Sequence, residues 1–282
     1  MEALGCDAVD SLIQILNILL PTLYALAWAD YALLFFRDDA FAKKTAPPLL
    51  YLAGTLHGIA LALLAIHLGI FPLATVFEAF SVVAFSVLVV YWLIEWHIGV
   101  RTTGFFIVGV VFTFQLVSSA FITRPTEIHP LLTDPSFMLH ASTAVLGYAS
   151  MAISAIYGLL YLMLFHDIKQ HRFGLIYKQL PSLEIMANFT HRAATLGFFF
   201  LSIAIVLGLV LMVEVYGAHW QWDPKLTITF AAWLIYGACT VGRRLWGWSP
   251  RRVAFASLTG FAVILFSFVV VNLLFTSFHG FV

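Results

Sequence analysis

Long apolar runs alternate with short polar segments along all 282 residues of the chain. A helix needs about 20 apolar residues to cross a bilayer. Eight runs meet that length, near 11–36, 47–68, 73–96, 103–122, 137–165, 192–213, 226–246 and 254–277. None alternates at a period of two over about ten residues, as barrel strands do. The pattern therefore predicts an all-α, polytopic membrane bundle of about eight transmembrane helices. The second and third spans are separated only by His67 to Thr75, a short turn containing Pro72. The whole of 1–282 reads as one integral membrane domain whose N-terminal part, 1–134, holds four helices.

Composition agrees with that pattern. Hydrophobic residues make up 62% and charged residues 10% of the chain, against about 25% charged in soluble domains. Mean hydropathy is +0.98. The net charge is zero, which argues against nucleic acid as a partner and leaves membrane lipid as the expected surroundings. Basic residues are unevenly placed. Arg37, Lys43, Lys44, Arg101, Lys169, Arg172, Lys178, Arg243, Arg244, Arg251 and Arg252 fall on loops of one side of an eight-span arrangement, leaving Arg124, Lys225 and Arg192. By the positive-inside bias, both termini and the loop 214–225 are expected outside. Met1 to Asp10 carries acids and no base, so the first run is expected to stay as a span rather than act as a cleaved signal. Cys6 and Cys239 form neither a Cys-x-x-Cys nor a Cys-x-x-Cys-His pattern, which excludes a thiol oxidoreductase and a c-type cytochrome.

The richest chemistry lies in the outer loop His219-Trp220-Gln221-Trp222-Asp223-Pro224-Lys225. Indoles are wide, rigid plates, and a proline after Asp223 stiffens the turn that carries them. Such a surface suits a flat, apolar, acid-bearing ligand, with haem as the leading candidate. His140, at the outer start of span five, and His279, just past the outer end of span eight, fall at the depth of this loop. Two imidazoles can occupy the two axial positions of porphyrin iron. Either could instead be an interfacial histidine with a wetted tip, and Trp220 and Trp222 could be ordinary belt aromatics. His219 is a further ligand candidate. His57 lies midway through span two, where a polar ring is expensive; a hydrogen bond to a neighbouring span and a transient haem contact are both open readings. Glu78, near the outer surface beside the Pro72 turn, could cap span three or meet a cation. His166, Asp167 and His171 do not have zinc-site spacing and read as part of a solvated basic face near anionic lipid. No Gly-rich phosphate loop or His-Glu-x-x-His stands out.

Four separated stretches share an order and spacing with a known family: Leu139-His140-Ala141-Ser142 with Gly147-Tyr148-Ala149; His191-Arg192-Ala193-Ala194-Thr195-Leu196-Gly197; Tyr216 to Lys225 with Trp233-Leu234-Ile235-Tyr236; and Gly260-Phe261 to Asn272-Leu273-Leu274, closed by His279-Gly280. Phe71-Pro72-Leu73 and Phe77-Glu78-Ala79-Phe80 add a looser match over 70–105. On these residues the chain resembles the cytochrome c assembly family of CcsA, ResC and CcmC type, with 135–280 as its haem-handling core. It departs from that pattern at Leu226-Thr227-Ile228, where many members continue Glu-Thr-Trp. Val241 stands where many have a second buried histidine. The stretch from Gly242-Arg243-Arg244 through Gly247-Trp248 to Arg251-Arg252 resembles the HemX and YpjD-like branch instead.

The resemblance implies a membrane protein of cytochrome c biogenesis that holds haem b non-covalently in a WWD-like loop and presents it at the outer face to apocytochrome c. His140 and His279 would be the axial ligands, with Trp220, Trp222, Asp223 and Pro224 along the haem edge, and His57 would match a membrane-buried histidine linked to haem passage. It further implies haem-lyase activity, thioether formation together with a CcsB-type membrane subunit, in the inner or plasma membrane of a bacterium or a comparable energy-transducing membrane. Two alternatives stay open: a HemX-like haem carrier or regulator without ligase activity, and an ion-coupled secondary transporter or structural subunit using Glu78 and His57.

Overall fold

The computed structural model describes residues 2–99, 101–121, 130–217 and 224–267, the side chains of 2–10, 97–98, 216 and 224–225 excepted. The described residues form helices α1 (Glu2–Arg37), α2 (Ala40–Leu68), α3 (Val76–Ile98), α4 (Gly104–Phe121), α5 (Pro135–Lys169), α6 (Leu175–Gln179), α7 (Leu183–Tyr216), α8 (Pro224–Leu245) and α9 (Pro250–Phe266), with a single 3₁₀ turn at Pro130–Thr133. Among them no strand occurs. Seven are long and apolar enough to cross a membrane, namely α1 to α5, α7 and α8. The described part of α9 is 17 residues long, and the span expected at 254–277 runs on beyond the described residues. This is a polytopic helical membrane protein.

Several helices extend past their apolar runs, because local capping rather than hydropathy sets where they begin. α2 was expected from residue 47 but starts at Ala40, since the Asp39 side chain accepts from the Phe41 and Ala42 amides at 2.9 Å. Pro47, buried, and Pro48, exposed, then lie inside it, as membrane helices tolerate. α3 begins with a capping box: Thr75 Oγ1 accepts from Glu78 N at 3.1 Å, and Glu78 Oε2 accepts from Ala74 N at 2.7 Å. Glu78 is thus a buried helix cap, its Oε2 shared between the Ala74 and Thr75 amides. α5 starts on Asp134, which accepts from Ser136 N at 2.7 Å, with Pro135 in the first turn.

The chain divides into two compact units, Met1–Thr133 and Asp134–Val282. In the first, α1 to α4 pack as antiparallel neighbours, α1 against α2 and α4, and α3 against α2 and α4. Tyr24, Tyr31, Phe35, Leu50, Leu88 and Tyr91 are fully buried there. At one end, Tyr31 donates to Glu95 Oε2 at 2.6 Å, Arg101 Nε lies 3.2 Å from Glu95 Oε1, and Arg101 also donates to the Lys43 carbonyl at 3.1 Å. This knot ties α1, α2, α3 and the α3–α4 turn together.

In the second unit α5, α7, α8 and α9 form an antiparallel bundle. Small residues let the backbones approach. A Cβ added at Gly147 would lie 3.3 Å from Leu201 N, and one at Gly158 would lie 3.2 Å from the Ala254 carbonyl oxygen. Ser154, buried, donates across the bundle to Thr190 O or Ser257 Oγ, at 2.8 and 2.9 Å. Tyr236 reaches the carbonyls of Met151 and Ser257. Cys239 is a free, buried thiol packed 3.9 Å from Ser257 Oγ.

Candidate functional site

The helix order of the second unit brings four chain ends together. Because the helices alternate in direction, the start of α5, the end of α7, the start of α8 and the last described turn of α9 fall at one end of the bundle. Side-chain contacts fix the register: His140 meets Ala204 and Gly208, Trp233 donates to Ser202 at 2.7 Å, and Tyr236 packs on Gly260. The end of α7 and the start of α8, which flank residues 218–223 in the sequence, both lie at that end.

His140 stands in the second turn of α5 and is half-buried. Its Nδ1 lies 2.8 Å from the Ala204 carbonyl oxygen on α7. A carbonyl can only accept, so Nδ1 carries a hydrogen, and in the neutral ring the lone pair is on Nε2. Metal-binding histidines commonly have this arrangement, with the far nitrogen donating to a carbonyl that orients the ring. Gly208, one turn beyond Ala204, makes room: a Cβ there would come 2.8 Å from His140 Cε1. About two turns further along α5, Tyr148 lines a small cleft with Leu201, Ile228, Thr229, Ala232, Ile264 and Ser267.

Trp220, Trp222, Asp223 and His279 lie outside the described residues, as does His219. Pro224 is the first residue of α8. The geometry therefore concerns one of the two expected axial histidines and the helices that carry the loop.

His57 is in the first unit and has no exposed surface. Its Nδ1 lies 2.9 Å from Tyr24 Oη, and its Nε2 lies 2.9 Å from Ser81 Oγ. Ser81 in turn donates to Gln115 Oε1 at 2.9 Å, and Gln115 Nε2 donates to Ser119 Oγ at 3.1 Å. Phe85 and Tyr24 close on the imidazole edge-to-face at centroid distances of 5.2 and 5.7 Å. Both ring nitrogens are thus hydrogen-bonded within the bundle. Tyr24, Ser81 and Gln115 carried no functional signal in the sequence, where each is one polar residue in an apolar run. Ala204 could not be found that way either, because its contribution is a main-chain carbonyl. Gly208 is the nearest to a legible clue, a lone glycine inside a helical pattern.

Among the described residues no group of three or more His, Cys, Asp or Glu side chains could hold a metal ion, and this includes the His166, Asp167 and His171 segment.

The sequence profile of a family described as "Cytochrome C assembly protein" matches residues 73–279. The chain belongs to the cytochrome c assembly protein family. That match runs from the start of α3 to the second expected axial histidine. Among individual relatives, the cytochrome c biogenesis protein CcsA of Guillardia theta is 26% identical over 240 residues, covering 77% of this chain and 78% of that protein. CcsA of Synechococcus elongatus is 25% identical over 316 residues, covering 94% of each. CcsA of Chlamydomonas reinhardtii is 30% identical over 175 residues, covering 59% of this chain and 48% of its own length. Membership of the assembly family makes this a protein of cytochrome c biogenesis and fits the membrane bundle described above.

Proposed function

We propose that the chain binds haem b non-covalently at the outer end of its second unit and presents it to apocytochrome c for covalent attachment. The observation that carries this reading is His140. With Nδ1–H on the Ala204 carbonyl, the lone pair of the neutral ring is on Nε2, the atom that would bind iron, at the end of the bundle where α7 ends and α8 begins. His279 is the second axial ligand in this proposal, and Trp220, Trp222, Asp223 and Pro224 line the macrocycle. The residues present fit a haem in donor chemistry: a neutral imidazole of the correct tautomer, a second histidine, and apolar plates beside a carboxylate in sequence. When bound, the cofactor supplies vinyl carbons to which thiols add; the chain's part is to hold it with one edge open.

The asymmetry of basic residues supports an orientation with both termini and the tryptophan loop outside. A CcsB-type membrane subunit is the proposed partner that receives apocytochrome c. An energy-transducing membrane, such as a bacterial inner membrane, is the proposed location.

Two measurements test the reading. Full-length protein purified from haem-replete cells is expected to show a Soret band that is lost in the His140→Ala, His279→Ala double variant; a colourless preparation overturns haem binding. Co-expression with the partner subunit and a Cys-x-x-Cys-His reporter is expected to leave haem covalently on the reporter. Bound haem with no transfer would show a carrier of HemX-like character, consistent with Val241 where a family histidine is common.

A further inference from the structure

The hydrogen bonds around His57 have a direction, and the direction can be worked out from both ends. Among the described residues, His57 is the one hydrogen-bond partner of the buried Tyr24 hydroxyl. A phenol has a single O–H, and burying it without an acceptor is costly. Tyr24 therefore donates to Nδ1. No carboxylate is bonded to either ring nitrogen, and a charged imidazole would be buried without compensation. The ring is neutral, so its one hydrogen sits on Nε2 and is donated to Ser81 Oγ. At the other end, Ser81 gives its own hydrogen to Gln115 Oε1, which leaves Ser81 as the acceptor towards His57. Gln115 Nε2 passes the direction on to Ser119. Five side chains from α1, α2, α3 and α4 thus form one head-to-tail chain.

We infer that Tyr24 sets the direction of this chain, holding His57 as the Nε2–H imidazole with both nitrogens withheld from any ligand. The reverse arrangement is sterically identical: the Gln115 amide turns over, Ser81 donates to Nε2, and Nδ1–H points at Tyr24. It would leave the tyrosine hydroxyl hydrogen with no acceptor among the described residues, and that selects the forward form. Tyr24 is a positioning residue, acting through the histidine. The consequence rests on the haem-passage reading of His57: iron can reach a lone pair at Nε2 only after the ring hydrogen has moved to Nδ1 and Ser81 has moved away. His140 is built the opposite way, with its Nε2 lone pair retained.

The test uses full-length protein in nanodiscs, labelled with ¹³C,¹⁵N-histidine, and His57→Gln to assign the signal by subtraction. The wild-type imidazole is expected to show hydrogen on Nε2 and a hydrogen-bonded acceptor at Nδ1. Tyr24→Phe removes the bias, and the ratio of tautomers should fall about tenfold towards an even mixture, the order expected when one buried group is left unmatched. Ser81→Ala should keep Nε2–H, because Tyr24 still donates. A purely structural Tyr24 would alter stability and leave the tautomer ratio unmoved, which would overturn the inference. Hydrogen on Nδ1 in the wild type would overturn it as well. A separate arm adds haemin to the His140→Ala, His279→Ala background. A His57-dependent Soret band about tenfold more populated with Tyr24→Phe supports the coupling to haem. Its absence alongside the expected tautomer shift sinks the haem-passage reading of His57 and leaves the hydrogen-bond direction standing.

Discussion

At the scale of single residues, the two histidines differ by what each meets. His140 donates to a main-chain oxygen that cannot move without α7, so its ring is set by the backbone of a neighbour. Gly208 is the condition for that approach. Gly208→Ala is expected to push the imidazole off Ala204, costing about 1–3 kcal/mol of stability from overpacking and weakening any Soret band, readable by thermal unfolding and absorbance on one sample. Replacing Ala204 by glycine keeps the carbonyl and should leave the band in place. These residues also mark the limits of the sequence. The position of His140 at a span end was legible, because periodicity and polarity report on it. The carbonyl of Ala204 was not, since a main-chain acceptor has no letter of its own. His57 was legible as a buried polar ring, and its partners were not, since Tyr24, Ser81 and Gln115 converge from three other helices.

At the scale of elements, hydropathy located the spans and capping chemistry decided their ends. The apolar run at 73–96 was legible as α3, but its start depends on the reciprocal bonds of Thr75 and Glu78. Thr75→Ala is expected to destabilise the protein by about 1 kcal/mol, seen as a lowered denaturation midpoint with no change in helix content by circular dichroism. The polar stretch expected at 37–46 shrank to a two-residue break because Asp39 caps α2 at once. Residues 166–191 likewise contain the end of α5, all of α6 and the start of α7. A window that averages hydrophobicity cannot see helical turns standing in water. Helix pairing in the second unit turns on size: Gly158→Leu would drive a side chain into the Ala254 backbone. It should separate α5 from α9 and lower the yield of folded protein on gel filtration, while Leu159→Ala, at an exposed position, should have little effect.

At the scale of the molecule, charge rather than packing carries the orientation. If the proposed topology holds, a cysteine at Trp246 in a background free of Cys6 and Cys239 is labelled by an impermeant maleimide only from the basic side. A cysteine at Thr133 is labelled only from the other; the reverse pattern would invert the placement of the haem site. That the chain forms a helical membrane bundle was legible from its apolar runs alone. Its division at Thr133 into two compact units follows from contacts between helices distant in sequence. The Tyr31–Glu95–Arg101 knot bears on how the first unit is made. Glu95 lies within an apolar span, and its cation is encoded six positions later, past the end of α3. An unpaired acid is poorly accepted by lipid, so Arg101→Gln should leave Glu95 without its cation and lower the yield of membrane-inserted protein. Adding Glu95→Gln to that variant should restore the yield. The third span can hold its acid only because the turn that follows it brings the matching charge.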